Sequence, residues 1–173
     1  YTLFSFMFGA GLAYQMLSAQ RRGVPFAPEY FRRRLGLAVL GVLHVSFAFF
    51  GDILILYALI GCLLYCFRRR RAKTLAWIGG ALILFQILIT ALLAGLLSLA
   101  EHFDPEGMQA VAAELQQNAD RMLTAFRTSG FVGTIPARWE EWAGFVPTGL
   151  LVQGPGVLGF FLLGLAAVRT GLI

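Results

Sequence analysis

Long apolar runs alternate with short polar segments along the chain, and this alternation determines the predicted elements. About 20 apolar residues cross the ~30 Å core of a bilayer as a helix. A segment in lipid must satisfy its own backbone hydrogen bonds, which predicts a helix for each run. The pattern indicates an all-α polytopic membrane bundle, one domain over residues 1–173, with about five spans. The predicted spans cover residues 1–19, 35–50, 53–67, 74–100 and 146–168.

The segment between the fourth and fifth spans, residues 101–145, is amphipathic rather than uniformly apolar. Asp104, Pro105 and Glu106 are typical of a helix start, and Gly130 is suited to a stop. The apolar positions that fall near one face are Met108, Val111, Ala112, Leu115, Met122 and Phe126. We therefore expect an amphipathic helix that lies on the membrane or over the mouth of a cavity.

The fifth span is interrupted by the stretch "VPTGLLVQGPG". Pro155 lacks a backbone donor, which predicts a kinked helix. Broken helices in membranes are packed against protein or line a cavity, and the packed kink is favoured here over a ligand site. Just before it, Trp139 and Trp142 flank two glutamates, a pattern typical of a segment anchored at the membrane interface.

Composition agrees with a membrane protein. Hydrophobic residues make up 58% of the chain, charged residues only 13%, and the mean hydropathy is +0.74. Soluble domains carry roughly 25% charged residues, so this chain has too little polar surface for an ordinary soluble globule. The first residues already read as the middle of a span, without a signal-peptide pattern. We therefore expect the chain to be a fragment of a longer protein.

The distribution of charged residues along the chain predicts how the spans are oriented in the membrane. Residues 20–34 hold five Arg and one Glu, residues 68–73 hold four Arg and one Lys, and Arg169 follows the last span. Residues 101–145 hold seven acids and three Arg. Because Lys and Arg concentrate in cytoplasmic loops, the two basic loops are expected to be cytoplasmic and the acidic segment extracytoplasmic. Topology explains these arginines, so no nucleic-acid partner is predicted.

His44 and Asp52 are an ionisable pair inside the apolar run "HVSFAFFGDILILYAL". A charged Asp near a helix centre costs roughly 2.5–3.5 kcal/mol on insertion scales. Asp52 could cap the third helix, and His44 could be a neutral, hydrogen-bonded core residue. Alternatively His44 is a general base in a cavity that Asp52 organises and Tyr57 faces. On one straight helix the two lie roughly 12 Å apart, so we do not expect a direct hydrogen bond.

Other candidate residues carry weaker signals. Ser46 and Gln15 are candidates for the substrate cavity, although most mid-span polar groups bond between helices. Cys62 and Cys66 are four apart, but zinc needs further ligands, so no metal site is predicted. The chain contains no P-loop, HExxH, G-x-S-x-G or dinucleotide fingerprint.

Four stretches resemble the YeiB-like bacterial membrane proteins, also called domain of unknown function 418. They are "FSFMFGAGLAYQ", "RRRLGLAVLGVLHVSFAFFGDILILYALIGCLL", "FRTSGFVGTIPARWEEW" and "FLLGLAAVRTGLI". The most specific piece is Leu-His followed by Gly-Asp-Ile-Leu and Tyr-Ala. The resemblance covers nearly all of the chain, while the family's first spans and last helices are absent from it.

The resemblance implies a multi-pass protein of the bacterial inner membrane, similar in architecture to transmembrane acyltransferases. That group uses a membrane-embedded histidine, which points to His44, and acyl-coenzyme A is a common cytoplasmic donor. The leading hypothesis is acyl transfer to a hydroxyl or amine acceptor, a glycan or lipid among them, with no bound cofactor. A small-molecule or lipid transporter and a noncatalytic scaffold or sensor remain the alternatives, and a homo-oligomer is left open.

Overall fold

The computed structural model describes residues 1–49, 51–128 and 130–172, and within them the chain is all-α, as predicted. Each predicted span coincides largely with helix, but its ends differ: among the described residues of these spans, Tyr1, Ala48, Phe49, Ile53, Phe67 and Gln153 are not helical. The helices are α1 (Thr2–Arg21), α2 (Phe26–Phe47), α3 (Leu54–Cys66), α4 (Ala72–Phe103), α5 (Pro105–Thr128), α6 (Gly130–Gly133), α7 (Ile135–Val152) and α8 (Gly154–Thr170).

Helix α8 lies at the centre, packed between α1 and α4. Glycines allow this close approach. A Cβ on Gly9 would collide with the carbonyl oxygen of Phe161, and one on Gly79 would lie 2.8 Å from that of Gly159. Small residues are the usual means by which helices approach closely in membranes. The largest fully buried apolar side chains of the core are Leu12, Tyr30, Tyr57, Leu64, Leu75, Phe161, Leu162 and Leu165.

Helices α2 and α3 pack against each other as a tight hairpin. Helix α2 begins at Phe26 rather than at residue 35, because arginine is a good helix former and the helix continues through the basic segment. The predicted end of the second span, Phe50, lies outside the described residues. Helix α3 has only 13 residues against the 22 of α2, so it is the shorter arm of the hairpin.

The amphipathic helix is confirmed as α5. Asp104 accepts a hydrogen bond from the backbone N–H of Gly107 at 2.9 Å, and Pro105 and Glu106 occupy the first turn. The helix ends at Thr128, before Gly130, whose φ is +63°. No residue of α5 is buried, so its apolar face does not pack into the core formed by the described residues.

The fifth predicted span, residues 146–168, is interrupted as the sequence indicated, but by a break between two helices and not by a kink inside one. The chain instead forms α7 and α8, which are separate helices that meet at Gln153 and bend by 56°. Pro155 lies in the first turn of α8, where its missing N–H is tolerated because the first N–H groups of a helix have no intrahelical partner. Helix α7 also begins at Ile135, so the tryptophan segment is helical.

The basic segments gather at one end of the bundle. Arg169 donates to the carbonyl oxygens of Arg68 and Arg70, which joins the end of α8 to the segment after α3. Arg22 donates two hydrogen bonds to Glu29, at 3.0 and 2.6 Å. These bonds hold the pKa of the Glu29 carboxyl below its usual value. The rings of Phe26 and Tyr65 stack with centroids 5.9 Å apart, so the loop after α1 lies at the same end of the bundle as the other two basic segments.

Within the described residues, α4 is long and apolar enough by itself to cross a membrane. A second span is found if the bent pair of residues 130–152 and 154–170 counts as one. Length and composition of the helices therefore do not support five spans by themselves, because α3 is short and α2 carries arginines in its first half.

Candidate functional site

His44 and Asp52 are brought together by the turn between α2 and α3. Helix α2 ends at Phe47, and the backbone N–H groups of Ala48 and Phe49 both bond to the carbonyl of His44. The chain then reverses into α3, so His44 Nδ1 lies 2.9 Å from Asp52 Oδ1. The expectation that the two residues do not bond directly was wrong, because it assumed one straight helix between them.

Asp52 has two partners at once. Its second oxygen, Oδ2, accepts the backbone N–H of Ile55 at 2.9 Å, in the first turn of α3, so the predicted helix-capping role is confirmed. The side chain is 0% exposed, and a buried carboxylate requires such donors. Gly41 makes room for it, since a Cβ there would lie 3.1 Å from Oδ2.

The bond to Asp52 determines what His44 offers chemically. An ionised carboxylate is only an acceptor, so a neutral imidazole bonded to it donates through Nδ1 and has its lone pair on Nε2. The side chain is 37% exposed, which leaves the ring partly open to a reactant. A histidine oriented by a carboxylate is the arrangement that general-base catalysis uses. We call His44 and Asp52 the dyad.

Helix α7 holds the end of α2 that carries the dyad histidine. Trp139 Nε1 donates to Ser46 Oγ at 3.1 Å, and Arg138 Nη1 donates to the Ser46 carbonyl at 3.4 Å. Arg138 is 8% exposed, and its guanidinium lies 5.2 Å from the ring centroid of Phe126. Ser46 therefore lies near the dyad, as a partner of α7 rather than as a free hydroxyl.

Sequence reasoning missed Arg138 as a residue of this region. It interpreted the neighbouring tryptophans as interface anchors and gave the arginine no role. The available signal was a single Arg between apolar and aromatic residues in an otherwise acidic segment. Arg138 contacts Ser46 of α2, which is 92 positions away along the chain. A local sequence pattern does not show a contact between residues so far apart.

Tyr57 and Gln15, the other two candidates for the substrate cavity, form no hydrogen bond with the dyad within the described part of the chain. The hydroxyls of Tyr57 and Ser5 share a hydrogen bond of 2.6 Å, so Tyr57 faces α1 within the core. Gln15 lines a groove of about 230 Å³ near Arg22 and Glu29, at the basic end of the bundle. The structure therefore places His44, Asp52 and Ser46 in one region, with Tyr57 and Gln15 outside it.

Two cavities adjoin the dyad side of α7. A small one contains Asp52, Trp142 and Phe145 in its walls. A larger cleft of about 680 Å³ opens between α5 and α7, and Phe145 lines this cleft as well. The polar side chains in its walls are Asn118, Arg121, Glu140, Glu141 and Thr148.

Comparison with known proteins adds one relative. The uncharacterized protein YxaH of Bacillus subtilis (strain 168) is 42% identical over 86 residues. That match covers 49% of this chain and 21% of YxaH. No protein-family profile matches the chain, and no solved structure does.

Proposed function

We propose that the chain is part of a YeiB-like multi-pass protein of the bacterial inner membrane. The predicted spans are 1–19, 35–50, 53–67, 74–100 and 146–168, the last of them broken at Gln153. Large apolar side chains on α4 support a lipid-facing surface, since Trp77 is 81% exposed and Leu88 and Leu97 are each 59% exposed. Contiguous apolar surface of this kind marks contact with a membrane or a partner.

The orientation makes a prediction that labelling checks. Single cysteines at Ala27 and Ala72 are expected to be protected from an impermeant thiol reagent in intact cells, and a cysteine at Gln116 is expected to react. The reason is that the basic loops 20–34 and 68–73 face the cytoplasm. Cys62 and Cys66 are replaced by serine first, and permeabilised cells show that every position is reactive. External labelling of Ala27→Cys would overturn the topology.

We further propose that the whole protein transfers an acyl group to a hydroxyl or amine acceptor. The observation that carries this proposal is the 2.9 Å bond from His44 Nδ1 to Asp52 Oδ1, which leaves Nε2 without a hydrogen-bond partner among the described residues. The acceptor loses its proton to Nε2 while its oxygen or nitrogen attacks the acyl carbonyl carbon. With a thioester donor, the carbon–sulfur bond then breaks and the proton passes from the imidazolium to the thiolate.

The donor side is constrained by the position of the dyad. The basic loops lie at the opposite end of α3 from Asp52, and α3 is roughly 20 Å long at 1.5 Å per residue. Acyl-coenzyme A bound at those loops must therefore extend its arm along the bundle to reach His44. The protein needs no resident cofactor in this scheme, because the acyl donor is a substrate.

Acyl labelling in cells tests the function. Cells with and without the whole protein receive radiolabelled acetate, and their lipids and envelope glycans are separated. We expect an acylated lipid or glycan that is present only with the protein. Identical profiles in the two strains would contradict acyl transfer.

Transport is the second candidate, and the 56° bend at Gln153 favours it. Interrupted helices form substrate sites in many transporters. A transporter would change uptake or release of a labelled solute and give no acylated product. If the protein changes neither solute transport nor the acylated products, a scaffold or sensor is the function that remains.

A further inference from the structure

The cleft between α5 and α7 has charged walls that are not paired with each other. Arg121 projects from α5, and Glu140 and Glu141 project from α7. Across the described residues, the ion pairs are Arg22–Glu29 and His44–Asp52, so these three cleft groups remain available to a ligand. The cleft thus presents two carboxylates and one guanidinium around about 680 Å³.

The pattern of charges selects the ligand chemistry. A guanidinium binds phosphate through paired N–H groups, and carboxylates accept hydrogen bonds from a primary ammonium. A quaternary ammonium has no N–H to donate and is bound by aromatic cages instead. Phe145 is the one aromatic side chain lining the cleft among the described residues, which disfavours choline.

We propose that this cleft binds the phosphoethanolamine headgroup of a phospholipid. Arg121 holds the phosphate, and Glu140 and Glu141 hold the ammonium. Asn118 and Thr148 add neutral hydrogen-bonding groups to the walls. A headgroup with phosphate alone would leave both carboxylates unpaired and repel them.

The position of the cleft relative to the proposed membrane fits a lipid rather than a soluble ligand. Trp139 and Trp142 belong to the same helix as the two glutamates, and tryptophans are enriched at the level of the headgroups. Helix α5 contributes apolar Met122 and Ala125 to the opposite wall. The choice of a lipid over a soluble ligand rests on the proposed membrane location. The match between the charges of the cleft and those of phosphoethanolamine does not. Phe145 also lines the small cavity that Asp52 lines, so the cleft and that cavity share one wall residue.

Lipid titration of the whole protein in detergent, followed by native mass spectrometry, tests the proposal. The probes are short-chain phosphatidylethanolamine, phosphatidylcholine and phosphatidylglycerol. We expect phosphatidylethanolamine to bind roughly tenfold more tightly than the other two, the worth of one charge-assisted hydrogen bond. Equal affinity for phosphatidylethanolamine and phosphatidylcholine would overturn it.

Variants separate the two halves of the site. The double variant Glu140→Gln/Glu141→Gln is expected to lose the preference for phosphatidylethanolamine. Arg121→Gln is expected to weaken all three lipids alike, since each carries a phosphate. Glu114→Gln and Arg127→Gln are the matched controls, because both residues are exposed on α5 and do not line the cleft.

Two further outcomes are decisive. An equal loss in the control variants would show that only general surface charge matters, which overturns the site. Displacement of the lipid by an equimolar amount of free phosphoethanolamine would reassign the cleft to a soluble ligand. No acyl transfer is measured in this titration, so its result is independent of whether the proposed chemistry of the dyad holds.

Discussion

Replacing His44 with alanine is expected to lower acyl transfer by the whole protein roughly 10²–10⁴-fold, the usual contribution of a positioned acid–base group. The fold should persist. Alanine is the strongest helix former, and the His44 side chain is partly exposed. The structural cost is the lost donor to Asp52 Oδ1, about 1–3 kcal/mol, while Ile55 still donates to Oδ2.

Yield, melting temperature and acyl transfer are measured on the same preparation of the variant. His102→Ala is the matched control, because His102 is the second histidine of the chain and is exposed at the end of α4. We expect full activity in that control. A His44→Ala protein with full transfer activity would end the catalytic role of His44. Poor yield with normal specific activity would show a structural role instead.

Asp52→Asn is expected to keep the fold and to lose activity by up to about 10⁴-fold. Asparagine caps a helix about as well as aspartate, so the bond from Ile55 is retained. Its amide nitrogen would then face His44 and donate to Nδ1. The imidazole would carry its own proton on Nε2, where a base needs the lone pair.

The chain itself provides the control for this substitution. Asp104 accepts the N–H of the residue three positions ahead at the start of α5, as Asp52 does at α3. Asp104→Asn should therefore retain its helix cap as well, and it should have no effect on acyl transfer. If Asp52→Asn is fully active, Asp52 serves only as a helix cap.

Local patterns predicted the helices because their causes are local. Apolar runs gave the positions of α1, α3 and α4, and the cap at Asp104 gave the start of α5. The pattern failed at the start of α2, which begins at Phe26 and includes Arg34, since arginine is a good helix former. The break at Gln153 also required knowing that Pro155 starts a helix rather than kinks one.

The candidate site was predicted in part. The rarity of charge in an apolar run identified His44 and Asp52, but their contact depends on a chain reversal that residue spacing does not encode. Arg138 and Trp139 reach Ser46 across more than ninety positions, and Tyr57 turns to Ser5 on another helix. Such pairings depend on how helices pack, which a single sequence does not report.

The glycine contacts of α8 have a mechanical consequence. Backbone rests directly on backbone at Gly9 and Gly79, so no side chain is available there to change rotamer and let α8 slide. Helix α7 is connected to α8 through a 56° bend at Gln153, and Trp139 ties it to the end of α2. A rotation of α7 about Gln153 would therefore displace the turn that carries His44.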